Sequence, residues 1–235
     1  MNMKKYIAIG TLVVAMIASA FVSQSRHESF DALLRKHVDA IGKVDYANFK
    51  KEHAKLKTYI KSLESQPVGR TESRQEQMAY WINLYNALTI NLILDNYPVS
   101  SIMKLDKAWD TPITNINGNT MTLNDVEHKV IRPKFNDARI HFAVNCAAKS
   151  CPKLLNEAYV GSKIESQLNA QTKWFINNRS FNQVSASSMK LSKIFEWYKD
   201  DFGDLVSFVN KYSNPKVNAN ATVSFIEYNW QLNSK

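Results

Sequence analysis

The amino-acid sequence predicts an α+β fold, a helix-rich single domain with a buried central helix packed on a small, mostly antiparallel sheet. Several segments repeat apolar residues at intervals of three and four, which is the period of an amphipathic helix. One of them, residues 71–96, is apolar on almost every side in its second half, as expected for a helix inside a core. Strand-like patterns are few and short, so the predicted sheet is small.

The first twenty residues predict a signal peptide. Lys4 and Lys5 precede an apolar run at residues 6–17, and small residues at 18–20 follow where a signal peptidase would cut. The run is shorter than the ~20 residues that span a bilayer, which favours cleavage over an uncleaved anchor. We therefore expect a globular domain at residues 21–235, periplasmic or secreted from a bacterial cell, with no stable membrane span after cleavage.

Two amphipathic helices are predicted at the start of this domain. The first occupies residues 29–41 and ends at Gly42, and the second begins near Asn48 and stops before Pro67. Their inward-facing residues are apolar at helical spacing: Phe30, Leu33, Leu34, Val38 and Ile41 in the first, and Phe49, Leu56, Tyr59, Ile60 and Leu63 in the second.

The central helix has the clearest predicted boundaries. Thr71 or Ser73 is expected to cap its N-terminus, where the carboxylate of Glu76 also favours the helix dipole. The pattern continues to Asn96 and stops before Pro98.

The rest of the chain mixes short strands and helices. Residues 111–123 predict a β-hairpin, because Asn117 and Gly118 suit the positive φ angles of a two-residue turn. The further predicted elements are a short helix at 123–131 ended by Pro133, a core strand at 139–146, an amphipathic helix at 162–178, two short helices at 192–202 and 203–212, and a final strand at 222–232.

The charge of the chain argues against some function classes. It has 30 basic and 21 acidic residues and a net charge of +9. Lysines such as Lys50, Lys57 and Lys61 lie near apolar residues at helical spacing, which is typical of a solvated helix face. No nucleic-acid-binding motif accompanies them, so we predict no nucleic-acid partner. The partner is unknown, although the net charge is compatible with a loose attraction to anionic envelope components.

Both cysteines lie in one segment together with a histidine. Cys146 and Cys151 follow His141 closely. Two cysteines in an exported protein commonly form a disulfide, although a bridge that closes so short a loop would contribute only about 2 kcal/mol. In the catalytic alternative, one cysteine is a nucleophile and His141 is its base, because the thiolate is the reactive form and an imidazole can take the thiol proton.

The predicted strand at 139–146 decides which cysteine pairs with the histidine. Side chains five positions apart on a regular strand point to opposite faces, so His141 and Cys146 would face apart. Cys151 lies beyond the strand, in a loop closed by Pro152, and can fold back toward the histidine. We therefore favour Cys151 with His141. Structural zinc usually has four ligands, which this segment lacks, so we predict neither a metal nor another cofactor.

Three polar residues outside this segment join the candidate site. Asn83 and Asn86 share one face of the central helix and need hydrogen-bond partners if they are buried. They either tie the helix to neighbouring backbone or line a pocket and orient a substrate or His141. Glu127 can supply a carboxylate. The candidate site residues are Cys151, His141, Asn86, Asn83, Cys146 and Glu127.

Six segments of the chain resemble one known family. They are residues 42–46 (GKVDY), 80–90 (YWINLYNALTI), 123–128 (LNDVEH), 139–152 (RIHFAVNCAAKSCP), 191–202 (LSKIFEWYKDDF) and 227–230 (EYNW). In this order they resemble the domain-of-unknown-function 547 family, which occurs in bacterial exported proteins and in plant multidomain proteins. The family usually has aspartate where Asn229 stands here. The resemblance implies the domain and the candidate positions, but no reaction.

The residues leave two functions open. Thiol-dependent acyl hydrolysis or transfer, on an envelope peptide or conjugate, is the reaction class that fits them. The alternative is a non-catalytic binding or scaffolding module braced by a Cys146–Cys151 disulfide. A role in thiol–disulfide exchange is less favoured, because the chain has no Cys-x-x-Cys arrangement.

Overall fold

The computed structural model describes residues 26–235, so the predicted signal peptide at 1–20 lies outside the described residues. Over the described part the predicted α+β class is confirmed, with helices dominant and short strands in two small sheets. No helix in this part of the chain is long and apolar enough to cross a bilayer.

The secondary structure of residues 26–235 consists mainly of short elements around one long helix. The α-helices are α1 (Glu28–His37), α2 (Tyr46–Lys50), α3 (His53–Ser65), α4 (Arg74–Asp95), α5 (Arg132–Phe135), α6 (Ile164–Asn177), α7 (Ile194–Trp197), α8 (Lys199–Phe202) and α9 (Leu205–Tyr212). Other helical segments are a π-helix (Asp125–Ile131) and three 3-10 helices (Ile102–Lys104, Ala138–Phe142 and Gly161–Lys163). The strands are β1 (Thr114–Ile116), β2 (Asn119–Met121), β3 (Gln183–Val184), β4 (Ser188–Ser192) and β5 (Thr222–Ile226).

Helix α4 is the predicted central helix. The Ser73 hydroxyl caps it by accepting a hydrogen bond from the Glu76 backbone N–H at 3.1 Å. Every side chain at residues 77–90 is buried, and the helix contacts α2, α3, α6 and the π-helix. The prediction of a buried central helix with these boundaries is confirmed.

The predicted second helix is divided into α2 and α3. Asp45, not Asn48, caps α2, because its carboxylate accepts the Asn48 backbone N–H at 3.1 Å. The predicted inward residues of these helices are buried, whereas Ile41, which lies beyond the end of α1, is 58% exposed. The predicted end of the first helix at Gly42 is wrong, because α1 ends at His37 and Val38 already has extended backbone angles, with φ of -115° and ψ of 129°.

The predicted β-hairpin is confirmed in the β1–β2 pair. Ile116 pairs with Asn119 in antiparallel register, which leaves a two-residue turn. Asn117 and Gly118 both have positive φ angles, 55° and 81°, as the geometry of such a turn requires.

The predicted core strand at 139–146 is wrong. A 3-10 helix, Ala138–Phe142, and an irregular loop occupy this segment. The Asp137 carboxylate starts the helix by accepting the Arg139 backbone N–H at 3.0 Å. The apolar residues of the segment are buried against α6 instead of against neighbouring strands, so their β-like composition reflects burial and not sheet pairing.

The predicted short helix at 123–131 is largely the π-helix, which continues directly into α5. Pro133 lies inside this continuous helical segment and does not end it as predicted. The segment ends at Phe135, and Asn136 follows with a left-handed φ of 43°. The π-helix contacts α4 and carries Glu127 on a buried position.

The C-terminal part contains a strand that the sequence pattern does not reveal. Strand β4 pairs antiparallel with β3 and parallel with β5. The predicted helix at 192–202 begins only at Ile194 and is divided into α7 and α8. The predicted final strand ends at Ile226, and an irregular segment follows it with Tyr228 and Trp230.

Two apolar clusters fix the position of His141. Ile140 and Val144 belong to the larger cluster around α4. Phe142 belongs to the second cluster, where it contacts Phe175 and Phe202 with ring centroids 5.1 and 5.7 Å apart. Because neighbouring residues are anchored in both clusters, the short segment between them has little freedom to move.

Candidate active site

One pocket of about 320 Å³ collects four of the six predicted site residues. Cys146, Cys151, His141 and Glu127 line it, together with several aromatic side chains. The pocket lies where the loop after the 3-10 helix, the π-helix, α7 and the segment after β5 meet. Its walls therefore come from parts of the chain that are far apart in sequence.

Cys146 makes the polar contacts expected of a stabilised thiolate. Its sulfur lies 3.2 Å from the Tyr228 hydroxyl oxygen. The pKa of Cys146 is lowered from its ordinary value, first by a hydrogen bond from the Cys151 thiol and further by the Tyr228 hydroxyl and the Ala148 backbone N–H, while burial opposes these effects. The residue as a whole is only partly buried, and it lines the pocket.

Cys151 lies deeper and has a different environment. Its sulfur accepts the Cys146 backbone N–H at 3.1 Å, and the Val144 carbonyl, 3.8 Å away, is a second acceptor within reach of its single thiol proton. Burial raises the pKa of Cys151 well above its ordinary value. Both cysteines are free in the structure, so the predicted alternative of a Cys146–Cys151 disulfide is not formed here.

His141 is held by a carboxylate that the sequence analysis did not select. Its Nε2 lies 2.7 Å from an oxygen of Asp201, and the same oxygen accepts a hydrogen bond from Arg132 Nε at 2.7 Å. The Tyr198 ring stacks on the imidazole, with centroids 3.9 Å apart. Burial lowers the pKa of His141 below its ordinary value, with Asp201 acting in the opposite direction.

The second ring nitrogen of His141, Nδ1, differs from Nε2 in its hydrogen bonding. Nδ1 is buried and has no hydrogen-bond partner among residues 26–235. A carboxylate accepts but does not donate, so the neutral ring donates Nε2–H to Asp201 and carries its lone pair on Nδ1. The imidazole is thus arranged to accept a proton. The structure contains no hydrogen bond between the imidazole and either sulfur in the described residues.

Glu127 lies in the wall of the pocket. It is 4% exposed and accepts a hydrogen bond from the Tyr198 hydroxyl at 2.7 Å. Burial, and then the charge of Glu127, raise the pKa of Tyr198. Glu127 therefore fixes the tyrosine that stacks on His141.

Asn83 and Asn86 do not line the pocket. Each instead binds backbone groups through both its side-chain NH2 group and its side-chain oxygen. Asn86 donates to the Ala143 carbonyl at 3.0 Å and accepts the Asn145 N–H at 2.8 Å. Asn83 makes the same pair of bonds with the backbone of Tyr159, at 2.7 and 3.0 Å. Of the two roles considered for them, the contacts favour tying the helix to its neighbours, and Asn86 in particular positions the loop that precedes Cys146.

Several residues of the pocket or its support were not predicted from the sequence. They are Asp201, Arg132, Tyr198, Tyr228, Trp109, Trp197 and Trp230. The segments at 191–202 and 227–230 contain five of them, but their composition gave no reason to select individual residues. Asn229, where the family usually has aspartate, does not line the pocket; its amide oxygen accepts the Gln231 N–H at 2.9 Å.

Within residues 26–235 the acidic and metal-ligating side chains do not gather into a metal site. In the described part of the chain, no group of three or more His, Cys, Asp or Glu residues has the arrangement to hold a metal ion.

Comparison with known proteins gives a match to one family over part of the chain. Residues 70–176 match the family described as "Protein of unknown function, DUF547". The matched part contains α4, the π-helix, His141 and both cysteines, and it supports the resemblance drawn from the sequence. The segments that carry Asp201 and Tyr228 lie outside the match. No curated protein and no solved structure matches the chain.

Proposed function

We propose that this protein is a thiol-dependent acyl hydrolase or transferase whose nucleophile is Cys146. A single observation supports this most directly. A thiol with a lowered pKa and an imidazole with an open, buried Nδ1 line the same pocket, and a carboxylate orients the imidazole. Nucleophile, base and orienting group are the three parts that this class of reaction needs.

Cys146 is a better nucleophile than the initially favoured Cys151. The preference for Cys151 depended on a regular strand at 139–146, which the chain does not form. Burial keeps Cys151 protonated, whereas hydrogen bonds to the Cys146 sulfur favour its thiolate. In this arrangement Cys151 supports the reactive sulfur as a hydrogen-bond donor.

The proposed reaction proceeds in two balanced steps. In the first, the Cys146 sulfur attacks the acyl carbon and forms a thioester, while the thiol proton passes to Nδ1 of His141 and then to the leaving group. In the second, water or an acceptor nucleophile attacks the thioester, gives its proton to His141, and the sulfur recovers a proton as it leaves. The Tyr228 hydroxyl, 3.2 Å from the sulfur, is placed to donate to the oxygen that becomes negative.

The signal peptide predicted from the sequence supports a reaction outside the cytoplasm. We propose that the substrate is a peptide or conjugate of the bacterial envelope. That compartment oxidises exposed thiol pairs, and partial burial of Cys146 with full burial of Cys151 would slow such oxidation.

One observation favours the alternative of a binding module braced by a disulfide. The Cys146 backbone nitrogen lies 3.1 Å from the Cys151 sulfur, so the two side chains are close neighbours in the fold. If they oxidise in the exported protein, the thiolate is lost and binding is what remains. The state of the thiols therefore separates the two functions.

The proposal is tested with an activated acyl ester, p-nitrophenyl acetate, and mass spectrometry of the intact and digested protein. We expect the wild-type chain to gain one acetyl group, on Cys146. Cys151→Ala should still be acetylated, Cys146→Ser should not, and His141→Gln should be acetylated more slowly by roughly 100-fold. His53→Gln is the matched control, because His53 lies on α3 and does not line the pocket.

Two results would contradict the proposal. One is acetylation at Cys151 alone, or at neither cysteine, in a protein with free thiols. The other is complete oxidation of both cysteines in protein isolated from the periplasm, which would support the braced binding module.

A further inference from the structure

We infer that the mouth of the pocket binds a cationic amino group of the substrate, against the indole rings of Trp109, Trp197 and Trp230 and beside the carboxylate of Asp110. This inference deepens the proposed acyl transfer and depends on it for the role of the bound group. The binding itself is a separate property of the surface and can be tested alone.

The aromatic rings at the mouth form a connected group. Trp109 and Trp230 meet almost at right angles, at 74°, with centroids 5.8 Å apart. Trp197 stacks on Trp230 at 5.8 Å and contacts Tyr228 at 4.8 Å. All four rings line the pocket that contains Cys146. Trp109 and Trp230 thus form an aromatic corner, which Trp197 extends.

The three indole rings at the pocket mouth are partly exposed to solvent, which is consistent with a binding role. Trp197 is 46% exposed, and Trp109 and Trp230 are only partly buried. Large aromatic rings that remain in contact with water and with one another at a pocket mouth are typical of a binding site. Three neighbouring indoles also provide the π faces to which cations bind best.

The charged side chains that line the pocket favour a positively charged ligand. Asp110 and Glu127 line it, whereas no lysine or arginine does so among the described residues. This is the opposite of the whole chain, which carries a net charge of +9. Arg132 lies over the pocket-lining Tyr198 ring, but Asp201 pairs with it at 2.7 Å. The carboxylates in the lining therefore still make the pocket a favourable site for a positive group.

Asp110 is positioned for this role by its neighbour. Asn124 donates a hydrogen bond to one oxygen of Asp110 at 2.7 Å, and both residues line the pocket next to Trp109. Asp110 is exposed, and it forms no ion pair within residues 26–235. The carboxylate therefore lies beside the aromatic rings without a competing protein cation.

These observations define a substrate class. An ammonium or alkylammonium group would contact the indole faces and Asp110, while the acyl carbon of the same molecule reaches Cys146 further inside. Acyl compounds of amino-bearing building blocks meet this description. Simple fatty acyl chains and acidic peptides do not.

The test measures binding of choline and of its neutral isostere 3,3-dimethylbutan-1-ol to the full chain carrying Cys146→Ser, by tryptophan fluorescence and calorimetry. The Ser variant removes the proposed chemistry, so binding is observed by itself. We expect choline to bind at least roughly tenfold more tightly than the alcohol, because only the cation gains the π and carboxylate interactions.

Variants locate the site. Asp110→Asn and Trp230→Leu should each weaken choline binding roughly tenfold. Asp106→Asn and Trp174→Leu are matched controls, since neither residue lines this pocket, and they should leave the affinity unchanged. Circular dichroism confirms that each variant is folded.

The outcomes separate this inference from the proposed function. Equal affinity for choline and the alcohol, no binding of choline, or loss of binding in the control variants would overturn the cation site. Selective choline binding by a protein whose Cys146 is never acylated would leave the cation site in place and reject the acyl transfer.

Discussion

Nε2 of His141 lies 2.7 Å from Oδ2 of Asp201, and this contact determines which nitrogen of the ring can act as a base. Arg132 also binds both carboxylate oxygens of Asp201, at 2.7 and 2.9 Å, and holds its pKa below the ordinary value. Asp201 therefore stays charged near neutral pH, where it fixes the tautomer and the orientation of the ring.

The first prediction concerns this contact. Asp201→Asn should reduce the rate of acyl transfer about 100-fold or more, because an amide can donate to Nε2 and move the proton of the neutral ring to Nδ1. The rate at which iodoacetamide alkylates Cys146 should change much less, since the sulfur does not contact Asp201 directly. Rates for both reactions check this expectation.

Asp200→Asn is the control for this prediction. Asp200 is the exposed neighbour of Asp201 on α8 and does not line the pocket. Wild-type acyl transfer in Asp201→Asn, or an equal loss in Asp200→Asn, would show that the orientation of His141 does not matter for the reaction.

The second prediction concerns the pH at which the reactive thiol ionises. The alkylation rate of Cys146 should rise with pH through a midpoint below the ordinary thiol value of 9.0, because hydrogen bonds favour its thiolate. Cys151→Ala and Tyr228→Phe each remove a donor to that sulfur and should move the midpoint to higher pH. The rate is measured with iodoacetamide between about pH 5 and pH 10, a range that includes ordinary thiol ionisation.

Tyr212→Phe serves as the matched variant here, since this tyrosine lies on α9 and does not line the pocket. It should leave the midpoint where the wild-type protein has it. A midpoint that does not move in Cys151→Ala and Tyr228→Phe would mean that these groups do not stabilise the thiolate.

The elements that the sequence predicted correctly depend on local interactions. Ser73 caps α4 through a residue three positions away, and Asn117 with Gly118 forms its turn within four residues. Capping residues, turn residues and helical periodicity are visible within a short window of sequence. Such features made the central helix and the hairpin predictable.

The site itself depends on distant partners and was predicted only in part. His141 and Asp201 are 60 positions apart, and Cys146 and Tyr228 are 82 positions apart. Nothing within residues 139–146 indicates that they end in a loop. The backbone of this loop is bound by the side chain of Asn86, which lies on α4 and is distant in sequence. A single sequence does not show which distant residues contact each other. Candidate residues could therefore be selected from it, but their hydrogen-bond partners could not be predicted.

The third prediction distinguishes the two asparagines of α4. Asn86→Ala leaves the Ala143 carbonyl and the Asn145 N–H without partners and should lower the free energy of unfolding by roughly 2–4 kcal/mol. The loop that precedes Cys146 loses its anchor, so the alkylation rate of this thiol should change as well. Urea denaturation and iodoacetamide kinetics measure the two effects.

Asn83→Ala provides the comparison, because it removes the same pair of bonds from the backbone of Tyr159. It should destabilise the protein by a similar amount while leaving the reactivity of Cys146 unchanged in native conditions. Equal thiol reactivity in Asn83→Ala and Asn86→Ala would remove the positioning role assigned to Asn86.

The last prediction concerns the stability of the fold in mild acid. Burial, and then the charge of Arg26, lower the pKa of His27 from 6.5 to about 4 in the folded protein. Between these values the unfolded chain binds a proton at His27 that the folded chain does not, so His27 alone should lower the free energy of unfolding by about 3 kcal/mol as pH decreases from 6.5 to 4. His27→Gln should reduce this decrease, leaving a part with the same sign from His141, whose pKa is also lowered. The exposed His128 is the control, and His128→Gln should keep the full pH dependence. Urea denaturation at several pH values measures it, and a His27→Gln variant as acid-sensitive as the wild type would show that burial of His27 does not determine this response.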